Sequence, residues 1–372
     1  MSKITKYPFA DLYDMSSGIS SKKEQAGHGA PFVSFGTVFN NYFLPEELPD
    51  LMDTSEKEQE IYSVKKGDIL ITRTSETIDE LAMSCVATKD YPHATYSGFT
   101  KRLRPKTEGI AYSKYMAFYL RGYLFRKAVT NNAFMTLRAS FNEDIFSFLD
   151  LYLPQYNQQI KIGDLLYKIE QKIQLNKKIN DNLHSQMCLF YEHLMPKAMS
   201  KQIQGDFVCA KELTEVITGK EDANFSSPDG LYKFFTCSNI PLQCNKYAFD
   251  SSSILIAGNG DFNVNHYSGK FNAYQRTYVL TPPSEYYALL YVASLYRINS
   301  FKSKSSGSIV KFITKGDVEN IPLFMPTGTS ILKELNKLIA LKEHNSLENE
   351  ELSRLRNWLL PMLMNGQAAI ED

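Results

Sequence analysis

Two runs of heptad-spaced apolar residues, each following a strand-rich stretch, constrain this chain more than any other feature. In the first run Ile162, Leu166, Ile169, Ile173, Asn176, Asn180, Leu183, Met187, Phe190 and Leu194 alternate three- and four-residue steps. In the second, Ile331, Leu338, Asn345, Leu352 and Leu359 recur every seven residues, flanked by Leu335, Leu341, Leu355 and Met362. Such spacing lines one stripe of an α-helix with apolar side chains, and that stripe needs a partner helix to cover it. Pro154 and Pro326 stand just before the runs, and Asn365-Gly366 closes the second. Asn176, Asn180 and Asn345 interrupt the stripes near their middles. An amide in a seam costs stability but fixes register, because a slipped partner leaves it unpaired. The plainer reading is that these amides face water on an unpaired turn.

The strand-rich stretches repeat as well. Ile69-Leu70-Ile71 corresponds to Ile254-Leu255-Ile256, the aromatic helix around Tyr115–Leu120 to residues 288–293, and Leu153-Pro154 to Met325-Pro326. The layout is therefore a first domain (1–153), a helix (154–198), a second domain (199–327) and a second helix (328–372). Two matching seams in one chain most simply pair with each other. About 34 helical residues span roughly 50 Å. The expected fold is α+β: two mixed α/β domains at opposite ends of an antiparallel two-helix coiled coil, related by an approximate twofold. Pairing of each helix with a second molecule is the other arrangement the spacing allows.

The 372 residues suffice for two ordinary domains, and 43% apolar with 22% charged residues is a globular composition. No apolar run approaches the ~20 residues of a membrane span, and the N-terminus lacks an apolar signal core, so a cytoplasmic protein without membrane contact is expected. Cys85, Cys188, Cys209, Cys237 and Cys244 are scattered, with no CxxC pair and no histidine at ligand spacing, so no metal site is expected. The net charge is zero, so any nucleic-acid surface must come from local clustering.

Such clusters exist. Lys101, Arg102, Arg104 and Lys106 crowd six residues of the first domain, and Arg73, Arg121, Arg126, Lys127 and Arg138 lie near them in sequence. Cations at this density suit phosphates, and Arg can also grip guanine with two hydrogen bonds. In the second domain Gly258-Asn259-Gly260-Asp261-Phe262-Asn263 is a glycine- and amide-rich turn after a strand, and Asn can pair with adenine. Lys302, Lys304, Ser306 and Lys311 mark a basic, hydroxyl-rich loop, and Lys270 and Arg276 complete the set. Candidate DNA contacts are thus Arg73, Ser75, Lys101, Arg102, Arg104, Arg138, Asn259, Asn263, Lys270, Arg276, Lys302, Lys304, Ser306 and Lys311. A solvated charged face and an ordinary Asn-Gly turn are the plainer readings.

Catalytic patterns are missing from the sequence: there is no Walker loop and no GxSxG elbow, and Pro282-Pro283 lacks the flanks of an amino-methyltransferase motif. An enzyme is therefore disfavoured. A two-headed DNA reader and a non-catalytic two-headed protein-interaction scaffold both remain.

Several segments then carry a resemblance: Leu153-Pro154, residues 158–162 (Gln-Gln-Ile-Lys-Ile), 172–180, 259–262, 274–280 and 355–367. Together they resemble the specificity subunits of Type I restriction-modification systems over essentially the whole chain. The resemblance implies two target recognition domains, each reading one half of a split double-stranded DNA sequence, with the helices setting the gap. It implies docking of two methylation (M) subunits, and of restriction (R) subunits in the full complex. No cofactor is expected in this chain; S-adenosylmethionine, ATP and Mg would belong to those partners. Arg73-Thr74-Ser75-Glu76 departs from the glycine-containing turn found at Gly258, which leaves the DNA contacts of the first domain less defined.

Overall fold

The computed structural model of the protein describes residues 4–20, 22–132, 139–260, 262–304, 312–368 and 370. Its contacts divide the chain into two compact units, Met1–Ile173 with Glu351–Asp372, and Gln174–Glu350. Long helices span Tyr156–Met199 and Thr329–Met364, and each contributes one stretch to each unit.

In the first unit, strand Thr5–Pro8 pairs antiparallel with Asp150–Leu153, tying the start of the chain to the segment just before the first long helix. A four-stranded sheet runs in the order Tyr13–Ser17, Thr100–Pro105, Ile69–Thr72, Ser84–Val86, and a three-stranded sheet in the order Asp50–Met52, Ala26–Val33, Thr95–Tyr96. Ile69, Leu70, Ile71 and Thr72 are all inaccessible, because this strand is covered on both faces; an unbroken apolar run is what such a position selects. Phe9, Tyr13, Tyr115, Phe118 and Phe141 fill the core, and Ile162, Leu166 and Leu363 of the long helices join it.

The second unit repeats the plan. Gly205–Cys209 pairs antiparallel with Pro322–Pro326, and six strands run in the order Val216–Thr218, Thr277–Leu280, Phe249–Ala257, Val264–Ala273, Tyr232–Phe235, Leu242–Cys244. Strand Val264–Ala273 passes into Thr277–Leu280 through only residues 274–276. Yet Phe271 lies opposite Phe249 and Thr277 opposite Ala257, at the two ends of one strand, so the sheet is curled on itself. Helix Tyr287–Lys304 belongs to the core beneath, with Met187, Tyr191, Leu335 and Ile339 of the long helices.

The repetition reaches individual hydrogen bonds. After the first strand of each unit, Phe9 N donates to Leu149 O and Ala210 N to Ile321 O. At the end of each central strand, Thr72 N donates to Met83 O and Ala257 N to Asn263 O. Where each strand stops, Arg73 O accepts from Phe141 N and Gly258 O from Ile313 N, both at 2.7 Å. Side chains differ at nearly every one of these positions, so backbone pairing preserves the frame while the surface is free to vary.

Within the second unit the long helices meet through the three seam amides. Asn176 Nδ2 donates to Glu348 Oε2 (2.6 Å) and Asn349 Oδ1 (3.0 Å). Asn180 Nδ2 donates to Lys342 O and Ser346 Oγ (3.1 Å each), and Asn345 Nδ2 to Asn180 Oδ1 (3.0 Å). Partner numbers fall as the first helix advances. Within the first unit Arg356 Nη1 reaches Glu170 Oε2 at 2.6 Å, with both side chains largely buried.

The buried stripes depart from a strict seam near the heads. Tyr191 is buried where Phe190 was expected, and Leu332, Leu335 and Ile339 are buried while Ile331 and Leu338 are half-buried. There each long helix packs into a domain core as well as facing a second helix, and a core-facing helix needs a wider apolar stripe than a coiled-coil seam does.

Candidate nucleic-acid interface

Lys101, Arg102 and Arg104 of the basic run lie on strand Thr100–Pro105, and a strand sends alternate side chains to opposite faces. Lys101 is therefore turned away from Arg102 and Arg104, which share a face and both reach Ser63 O. Lys101, expected at the surface, is 4% exposed; its Nζ donates to Ser17 Oγ (3.0 Å) and Glu143 Oε1 (2.9 Å). The Lys101 ammonium holds the Glu143 carboxyl below the usual carboxylate range, and Arg73 adds a smaller pull. Arg104 grips the buried Asp68 with two bonds, Nε to Oδ1 at 2.8 Å and Nη2 to Oδ2 at 2.6 Å. Arg102 donates to Ser63 O at 2.6 Å and lies over the Tyr96 ring. Arg121 is likewise spent on the carbonyls of Ser84, Val38, Phe39 and Asn41. The expected phosphate cluster is in these cases internal wiring, because a buried cation must find acceptors inside the protein.

Arg73 stays exposed at the end of the central strand. Ser75 is nearly buried, its Oγ accepting from Thr77 N. Arg138, Ser306 and Lys311 lie outside the described residues, as do the side chains of Lys302 and Lys304.

In the second unit the amide-rich turn and Arg276 come together, Gly258 N donating to Arg276 O at 2.8 Å. Cys237 joins them: its Sγ is 3.6 Å from Arg276 O, and its carbonyl accepts from Asn263 Nδ2 at 2.8 Å. Asn263 is buried and shapes the turn from within, whereas Asn259 is partly exposed and Gln275 and Arg276 are exposed. Lys270 is exposed farther along strand Val264–Ala273, its Nζ 4.8 Å from the Tyr247 ring centroid. Among the expected contacts whose side chains are described, Arg73, Lys270, Arg276 and the half-exposed Asn259 present groups a nucleic acid could reach, and Asn259 and Arg276 share one site.

Sequence reasoning missed a buried ionisable cluster in the second unit. His266 Nδ1 lies 3.0 Å from Glu343 Oε1, Lys342 Nζ lies 2.9 Å from His266 Nε2, and Tyr287 OH donates to the same carboxylate at 2.8 Å. Burial pushes His266 below the usual imidazole range, outweighing the upward pull of Glu343, and it lowers the Lys342 ammonium too. A neutral imidazole fits these contacts: its Nδ1–H donates to Glu343 while bare Nε2 accepts from Lys342. No spacing signals this cluster, because His266 and Glu343 lie on separate elements.

A family model described as the Type I restriction modification DNA specificity domain matches residues 2–185 and 206–354. The specificity subunit of the Type I restriction enzyme EcoDI from Escherichia coli is 40% identical over 167 residues. That match takes in 43% of this chain and 38% of the relative's own length. Among solved structures, the S subunit of the Type I restriction-modification system of M. genitalium superposes with a TM-score of 0.60 at 15% identity. It covers 97% of this chain and 96% of that one, a likeness of fold.

Proposed function

The chain belongs to the Type I restriction modification DNA specificity family, and from that premise we propose that it is the sequence-reading subunit of such a system. Each unit reads one half of a bipartite double-stranded DNA target. The long helices form an antiparallel coiled coil that carries the heads at its two ends, sets the gap between half-sites and docks two methylation subunits. Restriction subunits join the full complex in the cytoplasm. Chemistry resides in those partners, with S-adenosylmethionine, ATP and Mg as their cofactors; this chain contributes recognition alone.

The observation that carries the reading is the family match on both passes of the chain, together with one hydrogen-bonded frame built twice from different side chains. The seam amides of the second unit and the Arg356–Glu170 pair of the first support the helical pairing. Asn176, Asn180 and Asn345 then fix register. Arg73, Asn259, Lys270 and Arg276 are the DNA contacts retained from the sequence, with Lys302, Lys304, Ser306, Lys311 and Arg138 as phosphate contacts.

Replacing residues 1–164 by the matching part of a relative with another target tests it. Sequencing of methylated adenines, in cells that also carry the methylation subunits, should show one half of the motif changed and the other intact. Alteration of both halves, or of neither, would refute the two-reader arrangement.

A further inference from the structure

One turn is held in the same way in both units and loaded with different side chains. In the first unit Thr100 N closes it on Ser97 O at 2.9 Å; in the second Thr277 N closes it on Tyr274 O at 2.8 Å. Three other segments pin each copy. Ser97 N donates to Val33 O, and Tyr274 N to Phe235 O. Gly98 N donates to Ile19 O, and Gln275 N to Glu221 O. Phe99 O accepts from Arg73 N, and Arg276 O from Gly258 N. A glycine backs each turn at close range: a Cβ on Gly18 would lie 2.2 Å from Ser97 O, and one on Gly219 would lie 2.0 Å from Ala273 O.

The backbone is thus fixed by three other segments while the side chains at its apex face solvent. Phe99 is 61% exposed, and Gln275 and Arg276 are exposed. Among the described residues neither the Gln275 amide nor the Arg276 guanidinium has a hydrogen bond or ion pair within its unit, unlike Lys101, Arg104 and Arg121. A recognition element needs this combination, since reading groups must be held within about half an ångström yet remain unspent. A merely solvated loop needs neither the pins nor the repetition.

We propose that this turn is the base-reading element of each unit, with Gln275 and Arg276 on one half-site and Phe99 on the other. The inference rests on the DNA-reading function above and goes further by assigning the reading to three side chains. Gln275 has the donor–acceptor pair that matches the N6/N7 edge of adenine, and Arg276 the fork that matches O6/N7 of guanine. Phe99 offers an apolar face for a thymine methyl or a wedge at a base step. Asn259, beside Arg276 through the Gly258 contact, flanks the second reading turn.

The test uses the full chain with the methylation subunits in cells, and maps methylated adenines for the native chain and for Gln275→Ala, Arg276→Ala and Phe99→Ala. All three changes are at exposed positions; unfolding midpoints of the purified chains would verify that folding is intact. Gln275→Ala and Arg276→Ala should each relax discrimination about tenfold or more at one or two positions of one half-site, leaving the other half untouched. Phe99→Ala should relax the opposite half-site. An unchanged motif in all three variants, with a bipartite motif for the native chain, would overturn the assignment and leave the two-reader function standing. Uniformly weaker methylation at an unaltered motif would also overturn it, by making these groups phosphate contacts. Absence of a bipartite motif for the native chain would overturn the function itself.

Discussion

Asp68 shows how a buried charge turns an apparent DNA contact into a structural part. Its carboxylate is 1% exposed, accepts Lys65 N at 2.7 Å and takes both arms of Arg104. Arg104→Ala would leave that charge buried and uncompensated, at a cost of about 3 kcal/mol in urea unfolding. The salt dependence of DNA binding should stay as in the native protein. A variant of native stability whose salt slope is reduced by about one phosphate would place Arg104 on DNA after all. His266 gives a pH-dependent counterpart. Its folded pKa is depressed from the ordinary 6.5, so the unfolded chain takes up the proton first as pH falls. Its stabilising contribution is complete above about pH 6.5 and is lost below it, and His184, also lowered by burial, adds in the same sense. The unfolding midpoint of the chain should therefore fall between about pH 7.5 and about pH 5.5, and His266→Gln should flatten that dependence. A slope unchanged in the variant would contradict the assignment of a neutral buried imidazole.

At the scale of elements, what could be read in advance depended on whether a signal was local. The central strands were legible because burial on both faces selects unbroken apolar runs, as in Ile69-Leu70-Ile71 and Ile254-Leu255-Ile256. The long helices were legible from their period, although Tyr191 and Leu332 show that a period does not say where a stripe must widen. The basic run misled, because spacing does not reveal that Lys101, Arg102 and Arg104 find acceptors inside the unit, at Glu143, Ser63 and Asp68. Phe99 lies in no segment singled out from the sequence, and Gln275 lies in the 274–280 segment of the resemblance with nothing there to mark its side chain as exposed. Their exposure on a fixed turn follows from bonds to Arg73 and Glu221, residues distant in sequence. The register role proposed for the seam amides admits a test. Asn180→Leu with Asn345→Leu replaces a hydrogen-bonded amide pair by apolar contact, which should stabilise by about 1 kcal/mol, or raise the midpoint by roughly 2–4 °C. Disulfides engineered between the helices should then form in more than one register. A lowered midpoint would show that the amides stabilise rather than specify.

For the molecule as a whole, the proposed ruler makes a quantitative demand. One heptad adds about 10 Å of helix, close to three base pairs of DNA at ~3.4 Å each. Insertion of seven residues into both long helices should widen the gap in the methylated motif by about that amount. Insertion into one alone should misalign the amides and lower stability; an unchanged gap after the double insertion would refute the ruler. The first head is also fastened beyond its own last strand. Gln159, 1% exposed on the long helix, accepts from Tyr112 N (2.9 Å) and donates to Ile110 O (2.8 Å) and Pro154 O (2.9 Å), and Asp164 holds Lys114. In the second unit Asn336 does this work differently, accepting from Ala288 N and donating to Glu285 O. The two sockets are therefore not interchangeable. A graft of the first head cut at Pro154 would part it from Gln159 and Asp164, whereas one cut past Asp164 would carry its own fastening with it.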